Sequence, residues 1–433
     1  MKNRAKKILP EFTSKTLTNH AGILPIDHFL RKQLSFDKAI KNSIDLPIAS
    51  NTKYETSTIF KSIIYGYLAD FKRLSHFSEF TKDRMIQKLL GIKSHIDENT
   101  MGYRLNYFNF KNANYLQEIL GKLGERVRSQ YLDSTRLIID IDSTVKGSYG
   151  NQEGSRKGYN EKKRGQKSFH PQMAFITSTK ECLHSWFRPG DTYSGNGTSE
   201  FIKECHVRLP EEVTALYRCD SAYFDNKTLS VIEAQKDFYL IKVKLRNMKH
   251  LISSCEWEDI PAYPSIAYSE QQYQAQSWDH PRRLVFIRRL VDIHTKGLLF
   301  PIPEYDYTCY VTNLEEAPLE IYHQYKDRGE CENWIAAVKG QLNAGTTIMK
   351  HFWGSDVLWN LAVFAYNLTI WIRYLTDRKV WRQEPATFRA WFIRVAGKLI
   401  YRSRQYTLKM PKDYYYREAW WRLYTELLNI KLV

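Results

Sequence analysis

At Arg136 the hydrophobic period of this chain changes. Upstream, apolar residues recur at helical spacing, first Ile59, Phe60, Ile63, Ile64, Tyr67, Leu68 and Phe71, then Leu116, Ile119, Leu120, Leu123 and Val127. From Leu137 the sequence reads LIIDID, a short apolar run bounded by polar residues, which is the pattern of a buried strand. Such a strand needs partners in a sheet and cover on both faces, so it commits the chain to an α/β architecture.

Further strands are expected in MAFITS (173–178), CLHSWF (182–187), TALYRCD (214–220) and FYLIKV (238–243), with helices near 197–207 and 226–236. Three neighbouring strands, then helix, strand, helix and strand, is an order close to that of a ribonuclease H-like core. The expected organisation is a helical DNA-binding domain over 1–130, a first core segment over 131–244 and a β-strand insertion over 245–318. The last core segment then covers 319–375 and reads as helix from Pro318 to about Leu375, and a basic, aromatic, helical C-terminal region covers 376–433. In the first of these, EFTKDRMIQKLLG and NTMGYRLNYF flank a Gly91–Asp97 loop and suit either a helix-turn-helix pair or a plain bundle. The apolar stretch Val357–Ile372 contains Asn360 and Asn367 and falls short of the roughly 20 residues a bilayer requires, so a buried helix and no membrane contact are expected.

Charge narrows the partners. The 433 residues carry 64 Lys plus Arg against 47 Asp plus Glu, a formal charge of +17, while 43% are hydrophobic, so a folded protein that meets a polyanion is expected. Six cysteines are scattered without a C-x2-C pair, and MKNRAKKILPEF lacks the apolar run of a secretory signal; both suit a reducing cytoplasm. The absence of P-loop, GxGxxG and Gly-x-Ser-x-Gly patterns removes the usual support for nucleotide hydrolysis and serine hydrolase chemistry.

Asp140 and Asp142 lie two apart, so both side chains point to one face at the carboxyl end of their strand. Alone they read equally well as turn caps. Asp220 ends a second expected strand in the same way. Tyr325, Arg328, Glu332 and Lys339 stand at offsets 0, 3, 7 and 14, which on an ideal helix share one face within about 60°. A solvated stripe with an Arg328–Glu332 ion pair is the plainer reading. Between Lys146 and Lys167 lie seven basic residues and five glycines, among them Lys146, Arg156, Lys157, Lys162, Lys163 and Arg164, the composition of either a solvated loop or a phosphate-gripping one.

These residues carry a resemblance. Tyr325, Arg328, Glu332 and Lys339 match the Y-x2-R-x3-E-x6-K signature of bacterial insertion-sequence transposases with a DDE active site. DIDSTVKGSYGNQEGSRKGYN, FRPGDTYSGNGTSEF, RCDSAYFD and HAGILPIDHFL are similar to the insertion-sequence-1380 branch, the transposase DDE domain group 1, and in the right order. The resemblance implies that Asp142, Asp220 and Glu332 are the catalytic acids and hold two Mg²⁺ ions, for which Mn²⁺ can substitute. It further implies cleavage of the element's terminal inverted repeats and joining of 3′-hydroxyl ends to target DNA, through hairpinned ends, by a homodimer on double-stranded DNA in the bacterial nucleoid. Ala222 stands where the family commonly has Gly. Tyr325, Arg328, Lys339 and the basic loop are expected to touch DNA, and Trp278 in the insertion to stack on an unpaired base. A metal-dependent nuclease on the same fold and an inactive DNA-binding derivative remain open at this point.

Overall fold

The computed structural model describes residues 9–432 apart from 14, 50, 159, 161–162, 245–246, 295–299, 301 and 377–383. Lys162 lies outside the described residues. The strands of the central sheet are, in chain order, β1 (Arg136–Ser143), β2 (Gln172–Ile176), β3 (Cys182–Trp186), β4 (Thr214–Cys219), β5 (Phe238–Lys242), β6 (Glu258–Asp259), β7 (Ile266–Tyr273), β8 (Arg282–His294) and β9 (Ile302–Thr312). Their spatial order is β6-β7-β8-β9-β5-β4-β1-β2-β3. β1 pairs antiparallel with β2 and parallel with β4, β2 pairs antiparallel with β3, and β4 runs parallel to β5. The region expected as an insertion thus continues the same sheet, because β9 pairs antiparallel with β5 and draws β8, β7 and β6 after it.

Alternation along β1 sets the two faces. Leu137, Ile139 and Ile141 join one core with Phe201 and Ile202 of α5 (Thr198–His206) and Leu229 and Ile232 of α6 (Asn226–Ala234). Ile138, Asp140 and Asp142 turn to the other face, which α7 (Pro318–Lys326) and α8 (Cys331–Ala336) help to cover.

Beyond these lies α9 (Phe352–Leu375), 24 residues long and buried on nearly every side. A helix apolar all round needs partners all round. α9 packs against β3 and against α1 (Thr56–Leu68) and α4 (Phe110–Arg128) of the amino-terminal layer. That layer also holds α2 (Arg84–Leu90), where Asp83 accepts from the Met85 and Ile86 amides and left-handed Gly91 (φ 69°) stops the helix, and α3 (Glu98–Asn106). One continuous apolar core joins residues of the amino-terminal helices, α9 and the C-terminal α10 (Arg417–Asn429). No helix among the described residues is long and apolar enough to cross a membrane.

Two expectations need correction. Helix does not run unbroken from Pro318 to Leu375: a 3-10 turn (Asp327–Glu330) separates α7 from α8, a π turn (Ala337–Gln341) follows, and Asn343 takes a left-handed backbone (φ 58°). Asn343 is fixed there by its side-chain amide, which donates to Asp70 Oδ1 at 3.0 Å. The C-terminal region is not all helical either. β10 (Gly397–Arg402) and β11 (Gln405–Lys409) form a hairpin that pairs with Leu17–Thr18, closing a three-stranded sheet between the two ends of the chain.

Candidate active site

β1 and β4 are in register, Asp140 beside Arg218 and Ile141 beside Cys219, so Asp142 and Asp220 follow side by side at the carboxyl ends of two parallel strands. The two rungs serve different ends. On the inner rung, Arg218 Nε and Nη2 each donate at 2.7 Å to the two Asp140 oxygens, both residues being fully buried. Thr177 also donates to Asp140, and Arg218 reaches the Gln324 carbonyl in α7. Both Asp140 oxygens are thus taken up by partners within the protein. On the outer rung, Asp142 Oδ1 accepts from the Ser143 amide and Asp220 Oδ1 from the Ala222 amide, each at 2.8 Å, which leaves the second oxygen of each for other partners. Alanine at position 222 does not disturb this Asp220 cap.

Glu332 opens α8 and is exposed, while Arg328 on the preceding 3-10 turn is buried and puts its guanidinium 3.3 Å from Asp142 Oδ2. Burial pushes the Asp142 carboxyl up to about 6; Arg328 opposes the shift, and the negative charges of Asp220 and Glu332 add to it. Arg328 itself is pushed above its ordinary value: burial works against its charge, but Asp142, Tyr325 and Asp220 outweigh burial. The three acids therefore lie within electrostatic reach on one face. As they stand, no three His, Cys, Asp or Glu side chains among the described residues are gathered into a group that could hold a metal ion. The donor chemistry of Asp142, Asp220 and Glu332 nevertheless suits a hard divalent cation, since all are carboxylate oxygens, and the one guanidinium beside them acts on Asp142 and Asp220.

Other expected site residues sit differently. Arg328 pairs with Asp142 rather than with Glu332, so the i,i+4 pair on a solvated stripe is not formed. The hydroxyl of Tyr325 donates to the Cys219 carbonyl at 3.3 Å and its ring packs on Tyr310 at 4.6 Å, so it pins α7 to the end of β4 instead of facing solvent. Lys339, in the π turn, donates to Thr144 Oγ1 at 2.9 Å and to the Val145 carbonyl at 2.7 Å, tying down the loop that follows Asp142. The ideal-helix stripe fails because 3-10 and π turns alter the rotation per residue.

Lys146 is the clearest correction. It is only 1% exposed, donates to the carbonyls of Ala344 (2.6 Å) and Thr347, and stands over the rings of Phe187 and Trp359, so it does not reach DNA. Burial, with Lys339 adding, lowers its pKa to about 7. Because the unfolded ammonium keeps its proton to roughly pH 10.4, the unfolded state binds more protons than the native one between about pH 7 and 10, and stability rises through that window. Urea melts of the wild type and Lys146→Met at neutral and alkaline pH should show the wild type gaining on the order of 2–4 kcal/mol relative to the variant. A constant difference would mean that the native lysine titrates as the unfolded one does and keeps its charge through this window.

The rest of the basic loop folds into a small sheet of Lys146–Gly147, Lys167–Phe169 and Arg156–Lys157. Lys157, Lys163 and Arg164 are exposed on it, and Arg156 pairs with Asp191 at 2.9 Å. Trp278 is buried to 6% exposure between Phe224 and Tyr273, with the Arg282 guanidinium over its ring, so packing takes both the ring and its face. An aromatic-lined cleft of about 340 Å³ opens elsewhere, beside Arg328, between Tyr310, Tyr322, Tyr325, Lys326 and Arg289. Sequence reasoning missed Arg218, although RCD repeats with opposite charge the two-residue spacing of DID.

No curated protein matches the chain in sequence. Among solved structures it is similar to a piggyBac transposase synaptic complex with hairpin DNA, seen by cryo-EM, at 11% identity and a TM-score of 0.48, over 87% of this chain and 81% of that one. A family model described as Transposase DDE domain group 1 matches residues 1–432. With a match of that extent, the chain belongs to the transposase DDE domain group 1 family.

Proposed function

We propose that this protein is a DNA transposase. It binds the ends of its element, cleaves them hydrolytically at a divalent-metal site and joins the freed 3′-hydroxyl ends to target DNA. The observation that carries this reading is the pairing of Asp142 with Asp220 at the carboxyl ends of adjacent parallel strands, with Glu332 entering from a helix on the same face. The order β3-β2-β1-β4-β5 supports a ribonuclease H-like core within the larger sheet.

Asp142, Asp220 and Glu332 would hold Mg²⁺ or Mn²⁺ through oxygens the backbone leaves free. When bound, two such ions activate an attacking oxygen and stabilise the leaving one. The chain's own residues prepare that site. Arg328 keeps positive charge beside Asp142, where a phosphate would need it, and Lys339 fixes the loop after Asp142. Lys157, Lys163 and Arg164 add charge for the DNA backbone, contacts that position DNA without reading its sequence. The cleft beside Arg328 offers tyrosine rings and cations to a strand end, the role earlier expected of Trp278. A homodimer that pairs two element ends completes the proposal.

The test is incubation with DNA carrying the element's terminal repeats, a target plasmid and Mg²⁺ or Mn²⁺, followed by strand analysis. Cleavage at the element boundary together with joined product is expected. Cleavage without joining would assign the protein as a nuclease, and tight binding with neither reaction as an inactive DNA-binding derivative.

A further inference from the structure

We propose that the β10–β11 hairpin is a second DNA-holding element that grips the sugar-phosphate backbone of duplex DNA outside the catalytic site. Residues 397–409 include Lys398, Arg402, Arg404 and Lys409 and not one acid. Among the described residues, none of these four cations pairs with a carboxylate. The hairpin belongs to the small sheet made with Leu17–Thr18, separate from the sheet that carries Asp142 and Asp220.

Its two faces differ. Leu399 and Leu408 pack on the helical core, and further along the same face Tyr401 and Tyr406 meet at 4.6 Å with Lys88 of α2 over the Tyr406 ring. Lys398, Arg402 and Lys409 alternate to the opposite face. There Lys398 stands directly across from Lys409, a like-charge pair that destabilises a hairpin unless something anionic lies against it. The turn adds a second cost. Arg402 pairs with Gln405, leaving Ser403 and Arg404 as a two-residue loop with φ of 51° and 61°. That left-handed loop is where Asn-Gly is favoured and a long side chain is not. A tip that keeps arginine against backbone preference, on a ribbon that keeps facing lysines, is built for charge rather than for stability. A two-stranded ribbon also has the width to lie along a DNA groove.

The inference rests on the reading of the chain as a DNA-acting protein. Its test separates the two. Arg404→Gly removes the charge from a position that glycine fits better, so loss of binding cannot be laid to a damaged fold; Arg402→Ala/Arg404→Gly removes both. Duplex affinity measured by anisotropy across a salt titration should show the slope of log K against log salt falling by about one for the single variant and about two for the double. The melting temperature should be unchanged or higher for Arg404→Gly, and cleavage at saturating DNA unchanged. An unaltered salt slope in both variants overturns the proposal; if sedimentation then shows weakened self-association, the ribbon belongs to a second copy of the chain. Cleavage that survives Asp142→Ala would sink the catalytic reading while leaving the slope result standing.

Discussion

Alanine at Asp142, Asp220 or Glu332 is expected to lower DNA cleavage by about 10³-fold or more while duplex binding persists. The three residues are placed differently, Asp142 half-buried beside Arg328, Asp220 capping a 3-10 turn and Glu332 exposed on α8, so structural damage would affect them unequally. A shared chemical role would affect them alike. Groups that act as a unit are also strongly non-additive, so Asp142→Ala/Glu332→Ala should be little worse than either single variant. Single-turnover cleavage of an end-repeat duplex, with binding measured in parallel, checks both points. If Glu332→Ala retained near wild-type cleavage, the third acid would have to be sought elsewhere; loss of binding in all three would point to architecture.

The second large effect is expected two residues away and of the opposite kind. Asp140→Ala leaves the Arg218 guanidinium buried at 1% side-chain exposure without its carboxylate, and breaking a buried pair from one side costs about 3–5 kcal/mol. Denaturant melts should show that loss, and cleavage per folded molecule should be far less affected than by Asp142→Ala. The double change Asp140→Leu/Arg218→Met should recover much of the stability, since apolar residues of similar volume often replace a buried ion pair without loss. An Asp140→Ala protein that is fully stable but inactive would reverse the assignment and make Asp140 the chemical acid.

The parts of this design legible in the sequence depend on neighbours close in the chain. β1 was readable because the apolar residues of LIIDID form a short run that closes on an acid, and the end of β4 because TALYRCD closes in the same way. Asp142 and Asp220 could be proposed from such strand ends. Lys146 could not be read, because the carbonyls that hold it belong to Ala344 and Thr347, about two hundred residues later, and charge in a glycine-rich segment looks the same whether solvated or enclosed. Trp278 was misjudged for a related reason: its cover comes partly from Phe224, before the insertion begins. The Tyr325–Lys339 stripe assumed 3.6 residues per turn throughout, and the 3-10 and π turns that break that period have no strong sequence signal. The C-terminal hairpin escaped because its turn is Ser403-Arg404 and not the Asn-Gly that announces such a loop.

The placement of α9 has a consequence for how the chain is made. α1 and α4 leave the ribosome early, yet the surface they rest on is the helix Phe352–Leu375, synthesised more than two hundred residues later. Through most of synthesis the faces of α1 and α4 that rest on this helix lack it as a partner, and long-range contacts of this kind close slowly. Glu332 is translated just before that helix. Glu332 and the scaffold that unites the chain thus arrive together, so a nascent or truncated chain would carry Asp142 and Asp220 without the third acid of the proposed site.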